Sequence, residues 1–120
     1  MKARYRLHPE RKFVDVTFEG PVTLSDLGAL IESVWRDSEW TPEFNGLLDF
    51  SAASLEFSEQ DILGLTRMMR TDPRCSMGTW VFVVSRAADF GKLRKIDHDE
   101  QKATIRVYFD RKSAEKGAGL

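Results

Sequence analysis

The residues best suited to chemistry lie in the segment 47–61, where a carboxylate and several hydroxyl groups follow one another closely. Asp49 and Ser51 end an apolar run that is typical of a buried strand, and Ser58 stands directly before a helical pattern. A helix N-terminus offers free N–H groups and the positive end of the helix dipole, which favour a phosphate or another anion. The segment therefore predicts a phosphate or ligand site.

Two further residues follow the next apolar run and complete this candidate site. Ser85 and Arg86 come directly after the run 80–84. In open α/β sheets, ligands bind at the carboxyl ends of the parallel strands. We therefore expect the site to be formed at that edge of the sheet by Asp49, Ser51, Ser58, Ser85 and Arg86.

A purely structural interpretation competes with the ligand site and is favoured for both central residues. Ser58 stands three residues before Asp61, as in a capping box, where the serine only accepts a hydrogen bond from a free helix N–H. Glu59 and Asp61 already place negative charge in the first turn, and they would repel a phosphate. Asp49 could bind backbone N–H groups of its own loop or pair with Arg86.

The sequence contains no recognised motif for catalysis or for metal or cofactor binding. His8, His98 and Cys75 are far apart in the chain, so neither a zinc site nor a catalytic cysteine with a base is indicated. A P-loop, a glycine-rich dinucleotide fingerprint and a Gly-x-Ser-x-Gly turn are absent from the sequence. We therefore expect no enzyme activity, no cofactor and no metal.

Composition predicts one globular domain over residues 1–120. Apolar residues make up 42% of the chain, charged residues 31%, and the formal net charge is -1. Such a balance favours neither nucleic acid nor an acidic membrane surface. The longest apolar run, Trp80–Val84, is too short to span a bilayer, and the basic start lacks the apolar run of a signal peptide. With Cys75 as the single cysteine, a cytoplasmic protein is expected.

Hydrophobic periodicity predicts an α/β fold with the order strand, strand, helix, strand, helix, strand, helix, strand. The strands are expected at 5–7, 12–19, 46–50, 79–85 and 104–109, and the helices at 24–35, 58–71 and 87–97. Repeated βαβ units imply a mainly parallel four-stranded sheet, here extended by an antiparallel N-terminal strand.

The second face of this sheet is expected to be partly open, with the helices mostly on the first face. Polar residues alternate with apolar ones at 14–18 and 105–109. If helices covered both faces of the sheet evenly, apolar residues would be expected on both faces of these strands. Phe13 and Tyr108 would then make the open face apolar enough to bind a partner. After a short helix beginning at Asp110, residues 111–120 are expected to be frayed.

With this element order, the segment 47–61 resembles the SpoIIAA-like, or STAS, superfamily, which includes the anti-sigma factor antagonists. It is most similar to the small stand-alone bacterial members called STAS/SEC14-like, over about residues 12–110. Asp49-Phe50-Ser51 matches the Asp-x-Ser strand end of the antagonists, and Ser58 falls where they carry a phosphorylated serine. Their Asp-Ser-[Ser/Thr]-Gly motif is replaced around it by Phe57, Glu59 and Gln60. The resemblance implies a βα superhelix, and most such proteins have no established activity.

The favoured function is a non-enzymatic protein-binding or regulatory module. It would contact a partner protein, or a second copy of itself as a homodimer, through the open sheet face or the loop 49–58. The alternative is a carrier or sensor of an apolar small molecule or lipid, indicated by the methionines and aromatic residues and by the SEC14-like resemblance. The module requires an exposed apolar patch without an interior cavity, whereas the carrier requires an internal pocket.

Overall fold

Five strands form a single sheet whose spatial order equals their order in the chain. A computed structural model describes residues 2–76, 78–97 and 104–117. The strands are β1 (Lys2–His8), β2 (Phe13–Thr23), β3 (Asn45–Glu56), β4 (Thr79–Val84) and β5 (Thr104–Tyr108). β1 is antiparallel to β2, and all the other neighbours are parallel. The predicted fold class, with four parallel strands and one antiparallel N-terminal strand, is confirmed.

The three long helices pack on one face of the sheet, as predicted. The helices are α1 (Leu24–Trp35), α2 (Glu59–Thr71), α3 (Pro73–Ser76), α4 (Ala87–Asp97) and α5 (Arg111–Gly117). Ile31 of α1, Leu65 of α2 and Leu93 of α4 are buried in the same core as the apolar side chains of the strands. The predicted capping box of Ser58 is present, and Thr23 forms a second one, because each of these N-cap residues exchanges reciprocal hydrogen bonds with the residue three positions on.

Strand alternation places the core where periodicity predicts it. Val14, Val16 and Phe18 of β2 all face the helices and are completely buried. Phe50 of β3 stacks between Phe18 and Phe82, with ring centroids 4.6 Å and 6.2 Å away. An aromatic row therefore crosses the three central strands beneath α1 and α2.

β2 and β3 run further than the sequence predicts. Ends were expected near Gly20 and at Phe50, but the two strands stay paired up to Thr23 and Glu56. A register shift between Thr17 and Glu19 and the positive φ of Gly20 (81°) let β2 change direction without losing its partner. Asp49 therefore lies within β3, and the prediction that it stands at a strand end is wrong.

α5 covers the second face of the sheet over β3, β4 and β5, whereas Arg4 and Arg6 on β1 stay exposed, so this face is only partly covered. Ala114 of α5 is fully buried among Phe13, Leu47, Val81 and Val83, which are themselves at most 3% exposed. Asp110 begins the helix by accepting a hydrogen bond from the backbone N–H of Ser113 at 2.8 Å. Fraying was the wrong expectation for residues 111–117, because packing of Ala114 and the contacts of Arg111 described below hold them.

Some expectations fall on parts of the chain that lie outside the described residues. These are the expectations about His98, about the side chain of Cys75 and about the last three residues, 118–120. Among the described helices, none combines the length and apolar character needed to cross a membrane.

Candidate functional site

Hydrogen bonds or ion pairs between members of the predicted site join only two of its five residues, Asp49 and Ser51. Asp49 and Ser51 do contact each other, since an oxygen of the Asp49 carboxylate accepts hydrogen bonds from the backbone N–H of Ser51 at 2.9 Å and from its hydroxyl at 2.6 Å. Ser58 caps α2, and the exposed Ser85 and Arg86 follow β4. None of the hydrogen bonds or ion pairs of Asp49 involves these three residues. The five residues therefore form a hydrogen-bonded pair (Asp49 and Ser51), a helix cap (Ser58) and an exposed segment after β4 (Ser85 and Arg86).

Asp49 pairs with Arg111 of α5, a partner that sequence reasoning missed. Nη1 of Arg111 lies 3.2 Å from Oδ2 of Asp49, and Nη2 contacts the carboxylate of Asp15 on β2. Nε lies 3.3 Å from Glu115, one helical turn further along α5. Burial alone would lower the pKa of Arg111, but the hydrogen bonds of Asp15, Asp49 and Glu115, with the charge of Asp15, raise it above its usual value. These four residues, the ionic cluster, attach α5 to the sheet.

Replacing Ser58 tests its role as a cap. Ser58→Ala should lower the unfolding free energy by about 1 kcal/mol, because it removes the acceptor for the backbone N–H of Asp61, 3.1 Å away. Urea unfolding measures the loss. Ser58→Asn is the matched variant, since asparagine is an equally good N-cap. If both variants lost the same stability, the capping interpretation would be wrong.

An apolar cavity of about 280 Å³ lies on the helical face, between α1, α2 and the sheet. Leu27, Ile31 and Trp35 of α1 form one wall, and α2 forms the opposite wall with Leu65, Met68 and Met69. The floor consists of side chains from β3 and β4, namely Leu48, Trp80 and Phe82. Glu32 is the one charged residue among the described residues that line the cavity. The space can therefore hold an apolar group and offers it very few polar contacts.

Two glycines keep this cavity open. Gly28 lies in α1 and Gly64 in α2, both line the cavity, and a Cβ built on either would meet nothing within 4 Å. A glycine inside a helix costs about 1 kcal/mol relative to alanine, so both helices sacrifice stability at this point. α2 packs closely on α4 but not on α1. Each of the two helices therefore contributes one residue without a side chain to the lining of the gap.

A third glycine positions the floor of the cavity. Gly46 of β3 is paired with Trp80 of β4, and a Cβ on Gly46 would lie 2.6 Å from the indole ring. Only a glycine lets the ring lie this close to the neighbouring strand, where Trp80 is 3% exposed. The shape of the floor therefore depends on the pairing of these two residues.

One end of the cavity is bordered by charged side chains. The guanidinium of Arg74 lies over the ring of Trp35, 3.8 Å from its centroid, and its Nη2 lies 2.7 Å from Asp72. Hydrogen bonds from Arg74 lower the pKa of Asp72 below its usual value. A more open cleft, which shares Gly64 and Met68 with the cavity, continues past this end and is also lined by Arg67.

Comparison with known proteins places the fold. No family model matches the chain, and no curated protein matches it. A similar solved structure is that of an uncharacterized protein of the DUF3478 family with a SpoIIAA-like fold, from Shewanella loihica PV-4. The two align with a TM-score of 0.55 and 15% sequence identity over 88% of this chain and 83% of that chain. The chain therefore has a SpoIIAA-like fold, as the resemblance implied.

Proposed function

We propose that the protein binds an apolar small molecule or a lipid chain in the cavity between α1 and α2, as a carrier or sensor. The observation that supports this most directly is the cavity wall, which is formed by leucine, isoleucine, methionine and aromatic side chains with Glu32 at its border. Small-molecule sites are typically such concave, mostly apolar spaces. The methionines on α2 suit ligands of irregular shape, because their side chains are flexible and polarisable.

The volume limits the size of the ligand. An engineered apolar cavity of about 150 Å³ binds benzene, and the present cavity of about 280 Å³ has roughly twice that volume. A ligand portion of about ten to twelve carbon atoms is therefore accommodated, by proportion to benzene. A single medium-length alkyl chain or a two-ring aromatic group has this size.

The partner-binding module has less support from the described surface. Leu63 and Phe109 are the large apolar residues found exposed among the described residues, at 65% and 52%. Phe109 stacks on Phe90 with ring centroids 4.4 Å apart, and Leu63 lies on α2. The apolar second face that the module requires is buried under α5. Binding to a second copy stays a prediction, and native mass spectrometry measures it.

Filling the cavity from Gly64 tests the proposal. Gly64→Leu should fold, since a Cβ there meets no atom within 4 Å and leucine favours helices. The new side chain would occupy the gap and should weaken binding of 1-decanol by about tenfold or more, the equivalent of about 1.4 kcal/mol. Calorimetric titration measures the affinity, and the fluorescence of Trp35 and Trp80 reports occupation of the site.

Gly91→Leu is the matched control. Gly91 also lies inside a helix, α4, and also has open space at its Cβ, but it does not line the cavity. Its leucine variant should bind 1-decanol like the wild type. Equal affinity of the two leucine variants, or no binding of 1-decanol to the wild type, would refute the proposed function. Mass spectrometry of a solvent extract of the purified protein gives an independent test for a retained apolar molecule.

A further inference from the structure

Trp35, which lines one end of the cavity, has a buried hydrogen-bond donor that no described residue satisfies. Nε1 of Trp35 is buried and has no hydrogen-bond partner among the described residues, and the same holds for Nε1 of Trp40, whose ring centroid is 6.3 Å from that of Trp35. Buried polar groups in native proteins nearly always have a partner, so an orphaned donor calls for a water or a ligand atom. An indole N–H can only donate, so the missing partner must be an acceptor.

Positive charge is concentrated at the same end. Arg74 lies over the Trp35 ring and is oriented by Asp72, to which its Nε donates at 3.1 Å and its Nη2 at 2.7 Å. Arg67 lines the adjoining cleft, is exposed, and forms no ion pair with any residue that the structure describes. A guanidinium group binds carboxylates readily because its planar N–H groups match their geometry.

The negative charges at this end are already matched. Glu32 is 3.6 Å from Arg36 on α1, and Asp72 is bound by Arg74. Among the described side chains at this end of the cavity, Arg67 is therefore left without a counter-charge. An anionic group beside Trp35 and Arg67 would complete both the charge balance and the hydrogen bonding.

We propose that the ligand is an amphipathic monocarboxylate. The inference rests on the proposed function, since its alkyl or aryl-alkyl chain would fill the apolar cavity. The carboxylate would lie at the Trp35 end, where it would accept a hydrogen bond from the indole N–H and pair with Arg67. The opposite end of the cavity, towards Leu24, is apolar and would receive the end of the chain.

Decanoate and 1-decanol test the headgroup, because they share a chain and differ in charge. Wild-type protein should bind decanoate about tenfold more tightly than 1-decanol, as expected for one charge-assisted hydrogen bond. Arg67→Gln should remove most of that difference by lowering the affinity for decanoate alone. Trp35→Phe should also lower the affinity for decanoate, while it keeps an aromatic wall. Added salt should weaken the binding of decanoate more than the binding of 1-decanol, since it screens the exposed guanidinium of Arg67.

Arg86→Gln is the control, because Arg86 is also exposed but follows β4 and does not line the cavity. It should leave both affinities unchanged. Equal binding of the two ligands by the wild type, or an unchanged decanoate affinity in Arg67→Gln, would overturn the monocarboxylate and leave the apolar site intact. Failure of the wild type to bind either ligand would overturn the proposed function itself. Binding of 1-decanol by Arg67→Gln confirms that this variant is folded.

Discussion

Replacing Phe50 by alanine should lower the unfolding free energy by about 3–5 kcal/mol, the usual cost of deleting a buried aromatic side chain. Phe50 is 1% exposed and stacks on Phe18 and Phe82 in the two neighbouring strands. Its loss would leave a void in the centre of the sheet, where the neighbouring strands cannot collapse. Small domains have only about 5–15 kcal/mol of stability, so the variant would be close to unfolding.

Urea unfolding followed by tryptophan fluorescence measures this effect, since the chain has three tryptophans. Because Phe82 belongs to the floor of the cavity, the variant should also bind 1-decanol more weakly. Leu63→Ala is the control, because Leu63 is 65% exposed and its removal should change stability by about 0.5 kcal/mol or less. A loss below about 1 kcal/mol in Phe50→Ala would show that the aromatic row is not a core element.

Arg111→Met should be the second most destabilising change and should act through α5. Methionine keeps an apolar stem but leaves the carboxylates of Asp15 and Asp49 without their shared cation. Breaking a fully buried ion pair costs about 3–5 kcal/mol, but the Arg111 side chain is 37% exposed, so we expect about 2 kcal/mol. Urea unfolding at neutral pH measures the loss.

The pH dependence has a definite sign. The pKa of Arg111 is raised, so its contribution is fully present below its ordinary pKa and would be lost only in strong alkali. The stability difference between wild type and Arg111→Met should therefore be the same at pH 7 and at pH 9, because Arg111 keeps its charge over this range. A difference that disappeared between pH 7 and pH 9 would contradict a contribution from the charge of Arg111.

A double-mutant cycle separates the contribution of the Asp49–Arg111 ion pair to stability from the other contributions of α5. Asp49→Asn combined with Arg111→Met should cost less than the sum of the single changes, because the second change no longer removes an ion pair. Strict additivity would mean that the 3.2 Å contact contributes nothing. The cluster and the cavity lie on opposite faces of the sheet, so a folded Arg111→Met protein should still bind 1-decanol.

Features that depend on neighbouring residues could be predicted from the sequence. The alternation of Val14, Val16 and Phe18 gives the face of β2, and the apolar run Trp80–Val84 gives a strand buried on both faces. The capping box of Ser58 is likewise local, because its two hydrogen bonds join residues three positions apart. The parallel sheet follows from the order of these elements, since βαβ connections allow few topologies.

The candidate site could not be predicted in the same way. Nothing in the sequence links Asp49, which was expected in a ligand site, to Asp15 or Arg111, and the pairs that Arg111 forms join residues 96 and 62 positions apart. Met68 and Met69 fit the apolar stripe of an ordinary core helix in the sequence, and only the structure shows that they line a cavity. Gly28 and Gly64 lie within two predicted helices, and nothing in the sequence indicates that both border the same gap.

The segment 47–61 shows the division between the two levels. By itself, the sequence determined an apolar strand through Phe50 and a capped helix after Ser58, because strand burial and helix capping are encoded in residue type and short spacing. Only the tertiary structure decided that β3 continues to Glu56, that Asp49 faces Arg111, and that α1 and α2 stand apart. Such relations depend on the packing of distant elements, and a cavity arises where two helices that are each well formed fail to meet.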